Sequence, residues 1–410
     1  MKNSASSLWA LLRPPQGPLA PHIDLFARQL NEMGFNRRSI CTQVRYAAKF
    51  SRWLKGNRIA IGSLTDEHVE QFLRRFKGSV CCGVPAALRR LLVVVRQSGF
   101  VPEQGISPIQ PTPIQELVCA YLQHLRKDQN LSLKTCVQYS PFIVRFLSER
   151  FANGAVDCGS LCGADVVQHV TCQAKLLSQS RGKSLTNALR SFLRYLRCRG
   201  DIDRDLAVTV PMVANWSMTG IPKAISADHV RAVLASCNRD TQVGCRDYAI
   251  LMLLARLGLR SGEIVALKLD SIDWEVGGLT VAGKGGRIGL LPLPADVGQA
   301  IAAYLLHSRP RTSCRSLFMS AKAPIRGLGS ATSVGSIVLS AIARAGVQTS
   351  SHGSHQFRHA LACEMLRQGA TLLEIGQILR HRHSKTTGIY AKVDFAALRP
   401  LSLAWPGEAQ

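Results

Sequence analysis

Apolar residues recur at helical spacing over most of the chain. Ile23, Phe26, Leu30 and Met33 form one stripe, and Val44, Ala47, Ala48, Phe50 and Leu54 form another. A period near 3.6 residues predicts amphipathic helices that each bury one face. A third helix, capped by Asp66, carries Val69, Phe72 and Leu73, and a fourth runs from Ala87 to Val95. Pro102, Pro108, Pro111 and Pro113 then stop the pattern, because proline removes a backbone donor and clashes with the preceding turn. When helical periodicity resumes, it repeats the first block. Thr42, Val44, Tyr46, Trp53 and Leu54 align with Thr135, Val137, Tyr139, Phe146 and Leu147 at one constant offset. Ala87, Leu88, Leu92 and Gly99 align with Ala188, Leu189, Leu193 and Gly200 at a slightly larger one. The reading is a duplicated helical module; the alternative is chance likeness between amphipathic helices. Pro141 predicts a kink or a helix start in the second copy.

A second irregular stretch leads past Pro211 and Pro222 into text of another character. Ser226 can cap a helix bearing Val230, Val233 and Leu234, and Arg246 to Leu257 is a strongly apolar helix. Two β-prone runs, Gly278 to Val281 and Ile288 to Leu291, flank a glycine-rich turn and predict a hairpin. The expected organisation is an irregular 1–17, a helical module at 18–100, a linker at 101–113, a second helical module at 114–205, a linker at 206–221 and a final domain at 222–405. The fold class is mainly α, with helical N-terminal modules ahead of a mixed α/β domain holding a small antiparallel sheet.

Composition narrows the partners. The 410 residues include 51 Lys+Arg against 26 Asp+Glu, a formal net charge of +25. Such a balance points to a polyanion, nucleic acid before anionic membrane. Hydrophobic content of 46% supports packed cores, and 19% charged residues argues against wholesale disorder. No apolar run reaches the roughly 20 residues a membrane span needs, and no signal-peptide pattern opens the chain. The expected location is therefore cytoplasmic, on the nucleoid, with no membrane partner. The 13 cysteines are scattered. Cys158 and Cys162 lack a second Cys/His pair to complete a zinc pattern, so no metal is expected. Arg45, Lys49 and Arg52 are spaced for one helix face, as are Arg190, Arg194 and Arg197. These read either as solvated faces or as phosphate-tracking ones.

The chemistry sits late in the chain. Leu257-Gly258-Leu259-Arg260-Ser261-Gly262-Glu263 is followed by Gly283-Lys284-Gly285-Gly286-Arg287, by His355-Gln356-Phe357-Arg358-His359, and by Leu379-Arg380-His381 ahead of Tyr390. Cleaving a phosphodiester requires charge neutralisation at phosphorus, a deprotonated nucleophile and a protonated leaving oxygen. Two guanidiniums, Arg260 and Arg358, can each grip non-bridging oxygens through a planar fork. Arg260 could instead form an ordinary surface pair with Glu263 one turn on. His355 shares a helical face with Arg358 and can exchange a proton near neutral pH. His359 lies one position beyond Arg358 and is read as structural. Tyr390 is the nucleophile expected, although its phenol, with a free pKa of about 10, needs neighbours to activate it.

The order Arg, Lys, His-x-x-Arg, His, Tyr resembles the tyrosine recombinase (phage integrase) family, clearly over about 222–400 and weakly over 112–200. The resemblance implies that Lys284 is the general acid for the leaving 5′ oxygen and that His381 orients a phosphate oxygen. It also implies that Glu263 supports Arg260. Arg287 is a nearby cation assigned to DNA. Arg380 departs from the family, which usually has glycine there. A single helical module resembles the family's core-binding domain, and a tandem pair departs from its simplest layout. The implied activity is cutting and rejoining of DNA strands through a 3′-phosphotyrosyl intermediate, needing no ATP, metal or other cofactor. The implied partners are specific duplex sites, further copies of the chain in a tetramer on DNA and other recombinases, in the service of a mobile element. Residues Val393 to Trp405 are expected to dock on a neighbouring subunit. Two other readings stand beside this one: a type IB topoisomerase, which needs no partner duplex, and a DNA-binding accessory without catalysis.

Overall fold

A computed structural model describes residues 14–76, 83–97, 99, 111–152, 155–213, 221–283, 288–349, 351, 353–393 and 398–399. The chain divides into two compact units, one comprising Met1–Pro102 with Gly220–Gln410 and the other Glu103–Thr219.

The first unit opens with four helices, α1 (Ile23–Glu32), α2 (Arg37–Gly56), α3 (Asp66–Arg74) and α4 (Val84–Gln97). The side chain of Asn36 accepts the Ser39 N–H at 2.8 Å and so starts α2. Thr65, not Asp66, caps α3. Ile23, Phe26, Leu30, Val44, Phe50 and Leu54 all lie in one buried cluster, so the predicted stripes meet each other. This helical module touches the later part of its unit where the Ile325 N–H donates to the Met33 carbonyl at 2.8 Å.

The second unit is also four-helical: α5 (Pro113–Lys127), α6 (Leu133–Arg150), α7 (Gly163–Leu176) and α8 (Gln179–Arg199). Of the kink or start expected at Pro141, the start is not found, because α6 runs through that residue. A second expectation changes. The segment read as a linker from residue 206 begins as a 3-10 turn, Leu206–Thr209, and Leu206, Ala207 and Val210 are buried in the core of this unit. Three apolar residues over so short a stretch show no helical or strand period, which is why the pattern read as linker. Of the positions aligned between the two helical modules, Leu54 and Leu147 are both buried, whereas Val44 is buried and Val137 is 64% exposed. The Pro-rich 101–110 lies outside the described residues.

The remaining part of the first unit carries α9 (Ala227–Ala235), α10 (Gln242–Leu257) and α11 (Ser261–Ala266). A three-stranded antiparallel sheet follows, β1 (Ile272–Asp273), β2 (Gly278–Ala282) and β3 (Ile288–Pro292), in the order β1-β2-β3. The hairpin register pairs Thr280 with Leu290. Then come α12 (Ala295–His307), α13 (Ala331–Arg344), α14 (His355–Arg367), α15 (Leu372–Ile378) and α16 (Ser384–Thr387), with a 3-10 turn Gly388–Val393. Ser226 caps α9 as expected, accepting the His229 N–H at 3.2 Å. Helix α10 is the central post. Ile250, Leu251, Leu253 and Leu254 are at most 1% exposed, and each such side chain contributes roughly 1.5–3 kcal/mol by leaving water. A smaller cluster of Ala362, Cys363, Ile375, Leu379 and Tyr390 packs α14 and α15 around the C-terminal tyrosine. Among the described residues no helix is long and apolar enough to cross a membrane.

Candidate active site

Helix α10 ends because Gly258 adopts the left-handed region, φ +56°. The glycine is needed twice over. A Cβ there would also sit 2.9 Å from Leu379 Cδ2. The reversal sends the chain into Arg260, whose backbone N–H donates to Glu263 Oε2 at 2.9 Å while its Nη1 donates to Glu263 Oε1 at 2.7 Å. This is no surface pair, because Glu263 is 4% exposed. Burial alone would raise the Glu263 carboxyl, but the hydrogen bonds from Arg260 and the charges of Arg380 and Arg260 hold it below the usual carboxylate range. Glu263 therefore stays ionised and fixes Arg260, whose side chain is 35% exposed.

Arg358 enters from the first turn of α14 and is 4% exposed. Its Nη1 donates to the Gly258 carbonyl at 2.5 Å and its Nη2 to the Leu379 carbonyl. Burial, then the charge of Arg260, lowers its pKa to about 10, so it remains a cation at neutral pH. The two arginine-bearing segments are tied at their starts by the Ser261 and Ser354 hydroxyls, 2.5 Å apart. His355 stands one turn before Arg358 and is open to solvent. Neighbouring protein, then the charges of Arg358 and Arg260, press its pKa below the ordinary value.

The His381 loop resolves the departure seen in the sequence. Arg380 has φ +54°. Its N–H reaches the Gln377 carbonyl and the His381 N–H reaches the Gly376 carbonyl, both at 2.9 Å. This is a Schellman turn ending α15, with arginine at the left-handed position that favours glycine. The side chain offsets part of that cost. Arg380 Nη2 donates to Glu263 Oε2 at 2.8 Å, and a Cβ on Gly289 of β3 would meet Arg380 Cδ at 3.2 Å. Arg380 thus lies between the carboxylate that holds Arg260 and the strand that leads out of the hairpin turn. His381 Nδ1 is 2.7 Å from the Thr387 hydroxyl. Burial, then the charges of Arg358 and Arg260, brings its pKa down to about 4 and keeps it neutral.

Tyr390 is 1% exposed within the Gly388–Val393 turn. Its Oη lies 3.0 Å from His359 Nδ1, and the two rings meet edge to face with centroids 5.7 Å apart. The His381 ring lies nearly parallel to it at 6.4 Å. Burial raises the phenol to about 12, against the pull of the Arg358 charge.

The structure therefore gathers Arg260, Glu263, His355, Arg358, His381 and Tyr390, drawn from distant stretches, around one cluster of charge. Lys284 and Arg287, expected at the hairpin tip, fall in sequence between β2 and β3 and lie outside the described residues. Of the segment Val393 to Trp405, expected to dock on a neighbour, 394–397 and 400–405 are also outside them. On α2, Arg45, Lys49 and Arg52 are all exposed. On α8 the face is less open than expected. Arg190 donates to the carbonyls of Val210 and Pro211 at 2.8 and 3.4 Å, clasping the chain as it leaves that unit. Arg197 pairs with Asp205 at 3.0 Å, and Arg194 is exposed.

Two residues join the cluster beyond those the sequence singles out. His359 lies off the Arg358 face in the sequence pattern, yet it is one turn from His355, and that spacing is its signal. Arg380 carried its signal in replacing glycine.

A helical domain with a small antiparallel sheet and a convergent Arg/His/Tyr cluster defines the catalytic domain of the tyrosine recombinases. The phage integrase family matches residues 223–397. A putative integrase/recombinase of Sinorhizobium fredii is 48% identical over 410 residues, covering 100% of both chains. The tyrosine recombinase XerD of Listeria monocytogenes is 29% identical over 293 residues, 68% of this chain and 95% of its own. The crystal structure of the XerH site-specific recombinase on its palindromic difH substrate superposes with a TM-score of 0.57 at 18% identity, covering 72% of this chain and 90% of that one. The chain belongs to the phage integrase family, the tyrosine-type site-specific DNA recombinases.

Proposed function

We propose that Tyr390 attacks the scissile phosphodiester of a specific duplex site, leaving a 3′-phosphotyrosyl bond and a free 5′ hydroxyl. A 5′ hydroxyl from a partner strand then reverses the step. Arg260 and Arg358 neutralise the charge that builds on the non-bridging oxygens. His355 and His381 donate to that phosphate, and Lys284 protonates the leaving oxygen. The observation that carries this reading is the burial of Tyr390 against His359 within the field of Arg358. Preorganised cations around a hydroxyl suit phosphoryl transfer and have little purpose in a silent DNA-binding accessory.

The exposed basic face of α2 and Arg194 of α8 serve the duplex, and the two helical modules act as copies of one DNA-gripping unit ahead of the catalytic domain. Work on paired sites as a tetramer, for integration or transposition of a mobile element, completes the proposal. Support for that role comes from family membership and from the full-length likeness to a protein named as an integrase/recombinase. A denaturing gel tests the core of it. Wild type mixed with a nicked site should give a protein–DNA adduct that survives denaturation, and Tyr390→Phe should give none. An adduct that persists in the variant would assign the attack to another residue. Relaxation of any supercoiled plasmid, whatever its sequence, would favour the topoisomerase reading.

A further inference from the structure

Of the three histidines in the cluster, His359 is the one that lies on the oxygen of the proposed nucleophile. His355 is open to solvent at the site's edge. His381 commits Nδ1 to Thr387 and faces the flat of the tyrosine ring. His359, on α14, aims Nδ1 at Tyr390 Oη from 3.0 Å, which is the reach a general base needs.

Resting on the reading that Tyr390 is the nucleophile, we propose that His359 takes the Tyr390 proton as the phenol oxygen attacks phosphorus. In the starting state His359 carries its hydrogen on Nε2 and offers the Nδ1 lone pair. The Oη–P bond forms and the P–O5′ bond breaks, while the Oη proton moves to Nδ1 and gives an imidazolium. The leaving 5′ oxygen takes its proton from a different donor, Lys284 in the proposed scheme. In rejoining, the incoming 5′ hydroxyl attacks phosphorus and gives its proton to the donor left deprotonated in the first step, the P–Oη bond breaks, and the imidazolium returns its proton to Oη, so both half-reactions balance without any added reagent.

The surroundings favour a neutral imidazole waiting to be protonated. On its own helix His359 faces His355 and Arg358, and across the site it faces Tyr390 and His381. Burial, then the charges of His355 and Arg358, lowers its pKa from the ordinary value. At neutral pH it is unprotonated and able to accept. A phenol buried to a pKa of about 12 has little anion of its own to offer, so the acceptor matters.

The test uses the full chain and a duplex that it selects from a random-sequence pool, resynthesised with a nick beside the cut so that the freed strand is lost. Adduct formation is timed in a single turnover from about pH 5.5 to about pH 9.5, a range that brackets histidine and approaches tyrosine. Wild type should rise through the depressed histidine pKa and level off. His359→Gln and His359→Asn should fall by about 10²-fold or more near neutrality and climb steadily with pH, as Tyr390 ionises unaided. Asparagine keeps an acceptor near the Nδ1 position without being able to take up a proton. It therefore decides the matter if the glutamine variant does not fold. DNA affinity should not change in the variants. A bridging 5′ sulfur at the cut, which leaves without a proton, should not restore their rate. A variant with wild-type rate and pH profile overturns the proposal, as does rescue by the bridging sulfur, which would move His359 to the leaving-group side. If wild type makes no adduct, or Tyr390→Phe still does, the failure lies in the choice of nucleophile.

Discussion

Glu263 accepts from Arg260 and Arg380 while almost wholly buried, and its charge is what holds those guanidiniums in place. Its carboxyl sits below the usual range. Stability from this group is therefore complete above the ordinary glutamate pKa of about 4.3 and disappears as pH falls through the depressed value. Glu263→Gln should cost on the order of 3 kcal/mol at neutral pH, because it leaves partly buried cations unpaired. It should also flatten the acid limb of the stability–pH curve, which urea melts across pH will measure. Arg380 offers a cleaner comparison. Arg380→Ala and Arg380→Gly both lose the bridge, but only glycine relaxes the left-handed backbone, so the alanine variant should be the less stable by about 1 kcal/mol. Equal melts would mean that the turn costs nothing. Because Arg260 and Arg380 share one carboxylate, their single-variant losses should also fail to add in a double-mutant cycle.

At the level of elements, the turn between α10 and α11 decides whether the clamp exists. Gly258→Ala must place a Cβ at φ +56° and against Leu379, at a cost of about 1–2 kcal/mol from the backbone alone. The same shift moves the carbonyl that Arg358 grips, so adduct formation should slow along with the drop in melting temperature. Loss of stability without loss of rate would separate the turn from the site. The long elements were legible in the sequence because period carries them: the stripes of α1 and α2, the apolar α10, and the β2–β3 hairpin around its glycines. The short ones were not. A two-residue β1 and the 206–210 segment are too brief to show any period, and only tertiary burial explains them. Pro141 leaves a kink and a helix start equally open to a sequence reading, and α6 continues through it. At the site, residue types at fixed spacing marked Arg260, Arg358 and Tyr390. Nothing in the spacing could reveal that Tyr390 turns its hydroxyl toward His359, because that depends on how the turn after α16 folds back onto α14.

Across the whole molecule the net charge of +25 sets how it meets DNA. If Arg45, Lys49 and Arg52 each meet a phosphate, changing all three to alanine should weaken binding to every sequence alike. It should also reduce the slope of log affinity against log salt by up to about 2.7. A loss confined to one sequence would mean that they read bases instead. The arrangement of the catalytic cluster has a consequence for how the protein comes into being. Arg260 depends on a carboxylate that also holds Arg380, and the hydroxyl proposed to attack belongs to Tyr390, late in the chain. A chain interrupted between Arg358 and Tyr390 would therefore carry both guanidiniums of the cluster and still lack the hydroxyl they surround.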